Sequence, residues 1–123
     1  MATSSIYPDM TFAEKVIAFN RSLRFEDPLP EGIRVMNPFA ESREVMEVSS
    51  AFYRKFYNDN EVRKLVLGIN PGRLGAGATG IPFTDTKRLE EKCGLKIDAN
   101  LHEPSSVFVY EVIDACGGVE AFY

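Results

Sequence analysis

The sequence predicts an α/β domain, and three observations carry that expectation. Leu65-Val66-Leu67 with Ile69 is an uninterrupted apolar run, the pattern of a central parallel strand covered by helices on both faces. Two stretches of helical periodicity precede it, giving the helix-then-strand order of α/β folds. A glycine-rich loop from Gly68 to Gly80 follows the run directly, at the carboxyl end where open α/β sheets place their ligand sites.

The 123 residues are 45% hydrophobic and 26% charged, which fits one soluble domain spanning 1–123. A formal net charge of −4 excludes a protein that coats nucleic acid by bulk electrostatics. Any reading of DNA must then rest on a local basic rim. No apolar stretch has membrane-spanning length, and Met1 to Ser5 opens without a basic segment leading into an apolar run, so no membrane partner and a cytoplasmic location are expected. Cys93 and Cys116 have neither metal-ligand spacing nor the density of a disulfide-stapled domain, and both read as reduced packing residues at helix ends.

The first helix is expected from about Phe12 to Leu23. Thr11 caps it, Glu14 completes a capping box, and Phe12, Val16, Phe19 and Leu23 recur at helical spacing. Leu29 to Ala40, with two prolines and a glycine, reads as an extended connector outside any sheet. Ser42 caps a second helix with Val45, Val48, Phe52 and Phe56 on one stripe, ending at Asn58-Asp59-Asn60. The aromatic group Phe52, Tyr53, Phe56 and Tyr57 is core packing and not a platform for single-stranded DNA. Thr84 or Asp85 caps a short helix through Cys93, which Gly94 stops. Residues 105 to 116 favour strand by their β-branched and aromatic content; Ser105 as cap, the length of the run and the Gly117-Gly118 stop favour helix, which is the expectation here.

The loop is the informative segment. Gly75-Ala76-Gly77-Ala78-Thr79-Gly80 contains the Gly-x-Gly-x-x-Gly string of dinucleotide sites, but it starts well past the apolar run and Ile81-Pro82 stands where a helix would have to begin. No Gly-Lys-Ser or Gly-Lys-Thr follows, so neither a nicotinamide or flavin cofactor nor a nucleotide P-loop is expected. Asn70-Pro71-Gly72 alone would read as a tight turn, and Phe83 alone as core. Together with the preceding run, Gly68-Ile69-Asn70-Pro71-Gly72 and Thr79-Gly80-Ile81-Pro82-Phe83 resemble the first active-site motif of the uracil-DNA glycosylase superfamily. Gly68 to Gly72 matches its mismatch-specific branch, and the unbroken register through Phe83 is closer to the single-strand-selective, SMUG-like branch. The resemblance spans about residues 42 to 122 and is sharp from Leu65 to Phe83.

The resemblance implies a three-layer α/β/α fold of which this chain holds the N-terminal half, mostly helical with one clear central strand. It implies base excision from DNA, by hydrolysis of the N-glycosidic bond of uracil or a related damaged base. Glycosylases extrude the target base into a pocket that reads its polar edge and stacks on its face. By resemblance Asn70 positions the attacking water, Phe83 stacks on the base, and Gly68, Ile69, Pro71, Gly72, Thr79 and Gly80 shape the pocket. An Asn amide accepts a hydrogen bond from water but cannot take its proton, so Asn70 is a positioner within a dissociative reaction in which fixed donors stabilise the leaving uracil anion. Arg73, Lys87 and Arg88 are candidates for DNA phosphate contacts. No metal or cofactor is expected, since the motif holds no Cys, His or carboxylate cluster of ligand type.

The second motif of the family, a His-Pro-Ser-type loop, has no counterpart here. His102 lies in Leu101-His102-Glu103-Pro104 and reads as a surface-loop residue. The family's base-reading asparagine also falls beyond Tyr123, so residues 1–123 alone are expected to release uracil near background. The alternative is a non-catalytic chain that binds nucleic acid weakly, or that associates, with itself among others, through an unpaired sheet edge.

Overall fold

In the computed structural model, residues 9–123 are described; the reading of Met1 to Ser5 lies outside them. The described residues form seven helices and no strand.

Helix α1, Phe12–Ser22, opens on the expected capping box: Thr11 Oγ1 accepts from Glu14 N at 3.3 Å and the Glu14 carboxylate accepts from Thr11 N at 2.7 Å. Its buried residues are Ala13, Ile17 and Asn20, one position on from the expected stripe, and Phe19 is left 62% exposed. The backbone explains the rotation. Phe12 N donates to Asp59 O and Ala13 N to Tyr57 O, so the start of α1 is stitched to the chain leaving α3. That register turns the small residue Ala13 toward α3 and carries Asn20 inward with it.

The connector ends in a short helix α2, Pro38–Glu41, whose first free N–H groups are met by Asn37, with Ala40 N donating to Asn37 Oδ1 at 3.3 Å. Helix α3, Arg43–Phe56, is capped by Ser42 as expected and buries Val45, Phe52 and Phe56. Helix α4, Ala76–Thr79, lies within the glycine loop. Helix α5, Thr86–Cys93, starts at the Asp85 cap and stops at Gly94, whose φ of +68° is the left-handed geometry a helix end requires. Helix α6, Pro104–Ala115, settles the ambiguous segment as helix, with Glu103 in place of Ser105 as cap and Pro104 in the first turn. Helix α7, Val119–Phe122, closes the chain.

The core gathers Phe52 and Phe56 of α3, Leu89 and Cys93 of α5, and Tyr110 and Ile113 of α6, with Ile81 and Ile97 from loops. One polar chain crosses it. Thr84 Oγ1 donates to Pro82 O at 2.9 Å, so its lone pairs are left to receive the Tyr110 hydroxyl at 2.8 Å. With its proton committed, Tyr110 accepts from Tyr123 at 3.2 Å and from the Cys93 thiol at 3.4 Å. Burial raises the pKa of Tyr110 above the usual phenol range and that of Cys93 above the usual thiol range, so both stay neutral donors.

The α/β expectation is overturned. Leu65 to Ile69 forms no strand: Leu65 and Leu67 are each 80% exposed and Ile69 fully so. None of residues 64–71 makes a backbone hydrogen bond to the backbone of any described residue. A strand needs a neighbour for its N–H and C=O groups, and Val107 to Tyr110, which had strand-forming content, lies in α6. The central strand, the three layers and the open sheet edge therefore all fall together. What is ordered is the approach to the segment: Arg63 donates to both Asp59 carboxylate oxygens, at 2.7 and 3.0 Å, and its guanidinium lies 4.6 Å from the Tyr57 ring centroid. No helix among the described residues is long and apolar enough to cross a membrane.

Two substitutions check this arrangement in urea unfolding. Tyr110→Phe is expected to cost about 1–3 kcal/mol, because it leaves Thr84 and its neighbours short of a partner in a buried site. Leu67→Lys is expected to be neutral within about 0.5 kcal/mol; a large loss there would mean that the segment is buried after all.

Candidate functional site

The loop from Gly68 to Phe83 is held by its own polar groups and by the helices beneath it. Thr79, fully buried, is the inner anchor: its hydroxyl lies 2.8 Å from Thr84 O and accepts from Ile81 N at 3.1 Å. Gly80 follows at φ +73° with its Cα against Phe39 and Val45; a Cβ there would sit 2.7 Å from Phe39 Cε1. Only glycine meets both demands, positive φ and no room. Thr79 and Gly80 thus shape the loop from inside.

Phe83 is the one non-glycine residue with positive φ among the described residues, at +56°. This conformation costs an L-residue about 1–2 kcal/mol and persists where its surroundings over-determine it. The surroundings are Thr84 and Asp85, both fully buried. The result is that the Phe83 ring lies against the Gly68 backbone, with Cζ 3.1 Å from where a Cβ of Gly68 would stand. A side chain at Gly68 would displace the ring.

Asp85 fixes the following turn. Its carboxylate is fully buried and accepts from Arg88 N at 2.9 Å, Arg88 Nη1 at 3.1 Å and Glu103 N at 2.9 Å, while its own N–H donates to Ser106 Oγ at 3.2 Å. One side chain therefore joins the end of the loop, the start of α5 and the start of α6. Through that tie Glu103 is delivered to the loop. Its carboxylate oxygens occupy the space that side chains at Gly72 and Gly75 would need.

The remaining sequence-predicted residues are outward. Ile69 and Asn70 are exposed, and Asn70 Nδ2 donates to Pro71 O at 3.3 Å, which turns the amide so that Oδ1 has no partner among the described residues. A free amide oxygen is an acceptor for water. Pro71 is exposed and Gly72 half-buried beneath Glu103. Arg73 and Lys87 are exposed, whereas Arg88 is committed to Asp85 with its side chain 15% exposed. His102 is exposed and lies 2.8 Å from Asn100 Oδ1. The fold brings Gly68, Asn70 and Phe83 to one end of the loop and keeps Thr79 and Gly80 inside it. Sequence reasoning missed Glu103 and the tying role of Asp85. The cap position of Asp85 was visible, but its partners Glu103 and Ser106 come from a segment that begins eighteen residues on.

No protein-family model and no curated protein matches the chain. Among solved structures, it is similar to the crystal structure of wild-type Pedobacter heparinus SMUG2, with 59% sequence identity, a TM-score of 0.85, and coverage of 93% of this chain. The chain spans 50% of the length of that relative.

Removing the tie should loosen the site and the fold together. Asp85→Ala is expected to lower stability by about 3 kcal/mol, the low end for breaking a buried ion pair because Arg88 can reach water. Denaturant midpoints measure it, and a loss below about 1 kcal/mol would show that the carboxylate is dispensable.

Proposed function

We propose, from the premise that the chain belongs to the SMUG-like branch of the uracil-DNA glycosylase superfamily, that its loop is the water-positioning and base-stacking part of a site that hydrolyses the N-glycosidic bond of uracil or a related damaged base in DNA. The observation that carries this is Phe83, held at φ +56° with its ring on Gly68, two residues before Asn70. Strain at a non-glycine residue marks a position where the fold holds a side chain in place at a cost in energy. An aromatic face fixed beside an exposed loop offers a base roughly 1–3 kcal/mol of stacking.

Asn70 supplies the complementary part. With Nδ2 occupied by Pro71 O, Oδ1 is the atom left to orient a water toward the sugar carbon. It cannot deprotonate that water, so the bond must lengthen first and the base depart as an anion. Arg73 and Lys87, exposed at the loop and on α5, are the cations left to meet DNA phosphates. The cytoplasm is the proposed compartment.

A second reading rests on the exposed run of Val62, Leu65, Val66, Leu67 and Ile69. An apolar segment of this kind favours association with another chain or a second copy. Sedimentation over a range of concentrations tests it.

The glycosylase reading is tested by joining residues 1–123 to the half of Pedobacter heparinus SMUG2 that they do not match, and assaying uracil release from single- and double-stranded oligonucleotides. The chain alone is expected near background, the chimera active, and its Asn70→Ala form slower by about 10²-fold or more in kcat. Full activity of the Asn70→Ala chimera would sink the assignment.

A further inference from the structure

Glu103 stands at a helix start without serving it. It is the N-cap of α6, where the helix dipole favours a carboxylate near the free N–H groups, yet its side chain makes no capping hydrogen bond. The side chain crosses to the candidate loop instead. Its carboxyl carbon lies 3.1 and 2.6 Å from where Cβ atoms of Gly72 and Gly75 would stand, so a side chain at either position would push the carboxylate away. Two glycines and the tie from Glu103 N to Asp85, at 2.9 Å, together place a carboxylate on the loop.

That carboxylate is uncommitted. Among the described residues it accepts no hydrogen bond and pairs with no cation: Arg73 is exposed, Arg88 is held by Asp85, and His102 is turned to Asn100. Nor is it sealed in. Arg63 Nε is the one buried side-chain polar atom without a partner among the described residues, so the Glu103 oxygens of this half-buried side chain reach solvent. Asp85, the other carboxylate against the loop, is fully buried and engaged by Arg88 and by Glu103 N.

The dissociative reaction has two needs that the neutral residues of the loop do not meet. As the base leaves with the bonding electron pair, the sugar carbon becomes part of an oxocarbenium cation, and a fixed negative charge stabilises such a centre. The water that adds to that carbon must also lose a proton, which the Asn70 amide cannot take. Gly72, under Glu103 Oε1, is two residues from Asn70, a span of at most about 7 Å. We propose that the Glu103 carboxylate is a catalytic group of this site, facing the sugar of the target nucleotide, stabilising the positive charge there and accepting the proton of the attacking water. The inference rests on the glycosylase reading. The C1′–N bond breaks with its electrons going to the base, and the water oxygen bonds to C1′. One water proton passes to Glu103, which returns it to solvent, and the other stays on the new C1′ hydroxyl; the base anion takes a proton from solvent. The cavity of about 410 Å³ between the end of α1, the connector before α2 and the loop is no rival for this role, because its mostly apolar walls hold no carboxylate.

The test measures, by fluorescence anisotropy, how the full chain binds two short single-stranded oligonucleotides that differ at one position. One carries a pyrrolidine in place of the sugar ring, protonated and so a stable mimic of the sugar cation; the other carries a neutral tetrahydrofuran. The pyrrolidine strand is expected to bind about tenfold more tightly. Glu103→Gln should remove that difference and leave the thermal midpoint and the affinity for the tetrahydrofuran strand unchanged. Glutamine keeps the size of the side chain, so a packing role alone would not move the preference. Glu91→Gln, an equal loss of charge at an exposed position of α5, should keep it. Saturable binding of neither strand, no preference between them, or a preference that Glu103→Gln spares or that Glu91→Gln removes as well would overturn the proposal. In the chimera with the SMUG2 half, Glu103→Gln is expected to lower kcat roughly 10²-fold; unchanged uracil release would overturn the proposal and leave the glycosylase reading standing. A preference lost in Glu103→Gln, beside a chimera inactive on uracil, would remove the glycosylase reading and leave Glu103 as the group that holds a cationic sugar ring.

Discussion

The buried carboxylate of Asp85 is the interaction on which the arrangement of the site depends. A charge out of water is tolerable only when nearly every lone pair is met, and the partners that meet this one come from two segments: Arg88 in the first turn of α5, through its backbone N–H and its guanidinium, and the start of α6. Satisfying Asp85 therefore sets where α6 begins relative to the loop. It also sets where Glu103 falls, and so which loop positions must be glycine. The neighbouring hydroxyl chain through Thr84, Tyr110 and Tyr123 extends the same tie into the core and to the last residue.

This anchoring accounts for a loop that keeps its shape without a sheet. In open α/β folds a ligand loop hangs from the end of a paired strand. Here the preceding segment, residues 64–71, has no backbone partner among the described residues, and the loop is held from its other end by Thr79, Asp85 and the packing of Gly80 on Phe39 and Val45. The strained φ of Phe83 is the product: the turn into Asp85 fixes the backbone, and the ring is left against Gly68. Preorganisation of an aromatic face by buried hydrogen bonds is the physical link between this fold and the base recognition proposed for it.

The same helices create the cavity beside the loop. Two backbone hydrogen bonds from Phe12 and Ala13 set the rotation of α1, and that rotation brings Asn20 into the protein while Phe19 turns to solvent. An apolar residue exposed and a polar one buried on a single helix is a local conflict between pattern and fold.

The sequence by itself determined the features that depend on neighbours a few residues away. The capping box of Thr11 and Glu14, the Ser42 and Asp85 caps, the Gly94 stop and the aromatic stripe of α3 all use local hydrogen bonds or helical spacing, and these are legible without the fold. The loop's likeness to a glycosylase motif was legible for the same reason, as a contiguous string. Tertiary structure alone decided whether Leu65 to Ile69 becomes a strand, which side of α1 is buried, and which glycines lie under Glu103. Each of these depends on a partner distant in sequence: a second strand that residues 9–123 do not provide, the carbonyls of Tyr57 and Asp59, and the reach of Asp85 to Glu103. An apolar run states that a segment can be buried; only a partner for its backbone decides that it is.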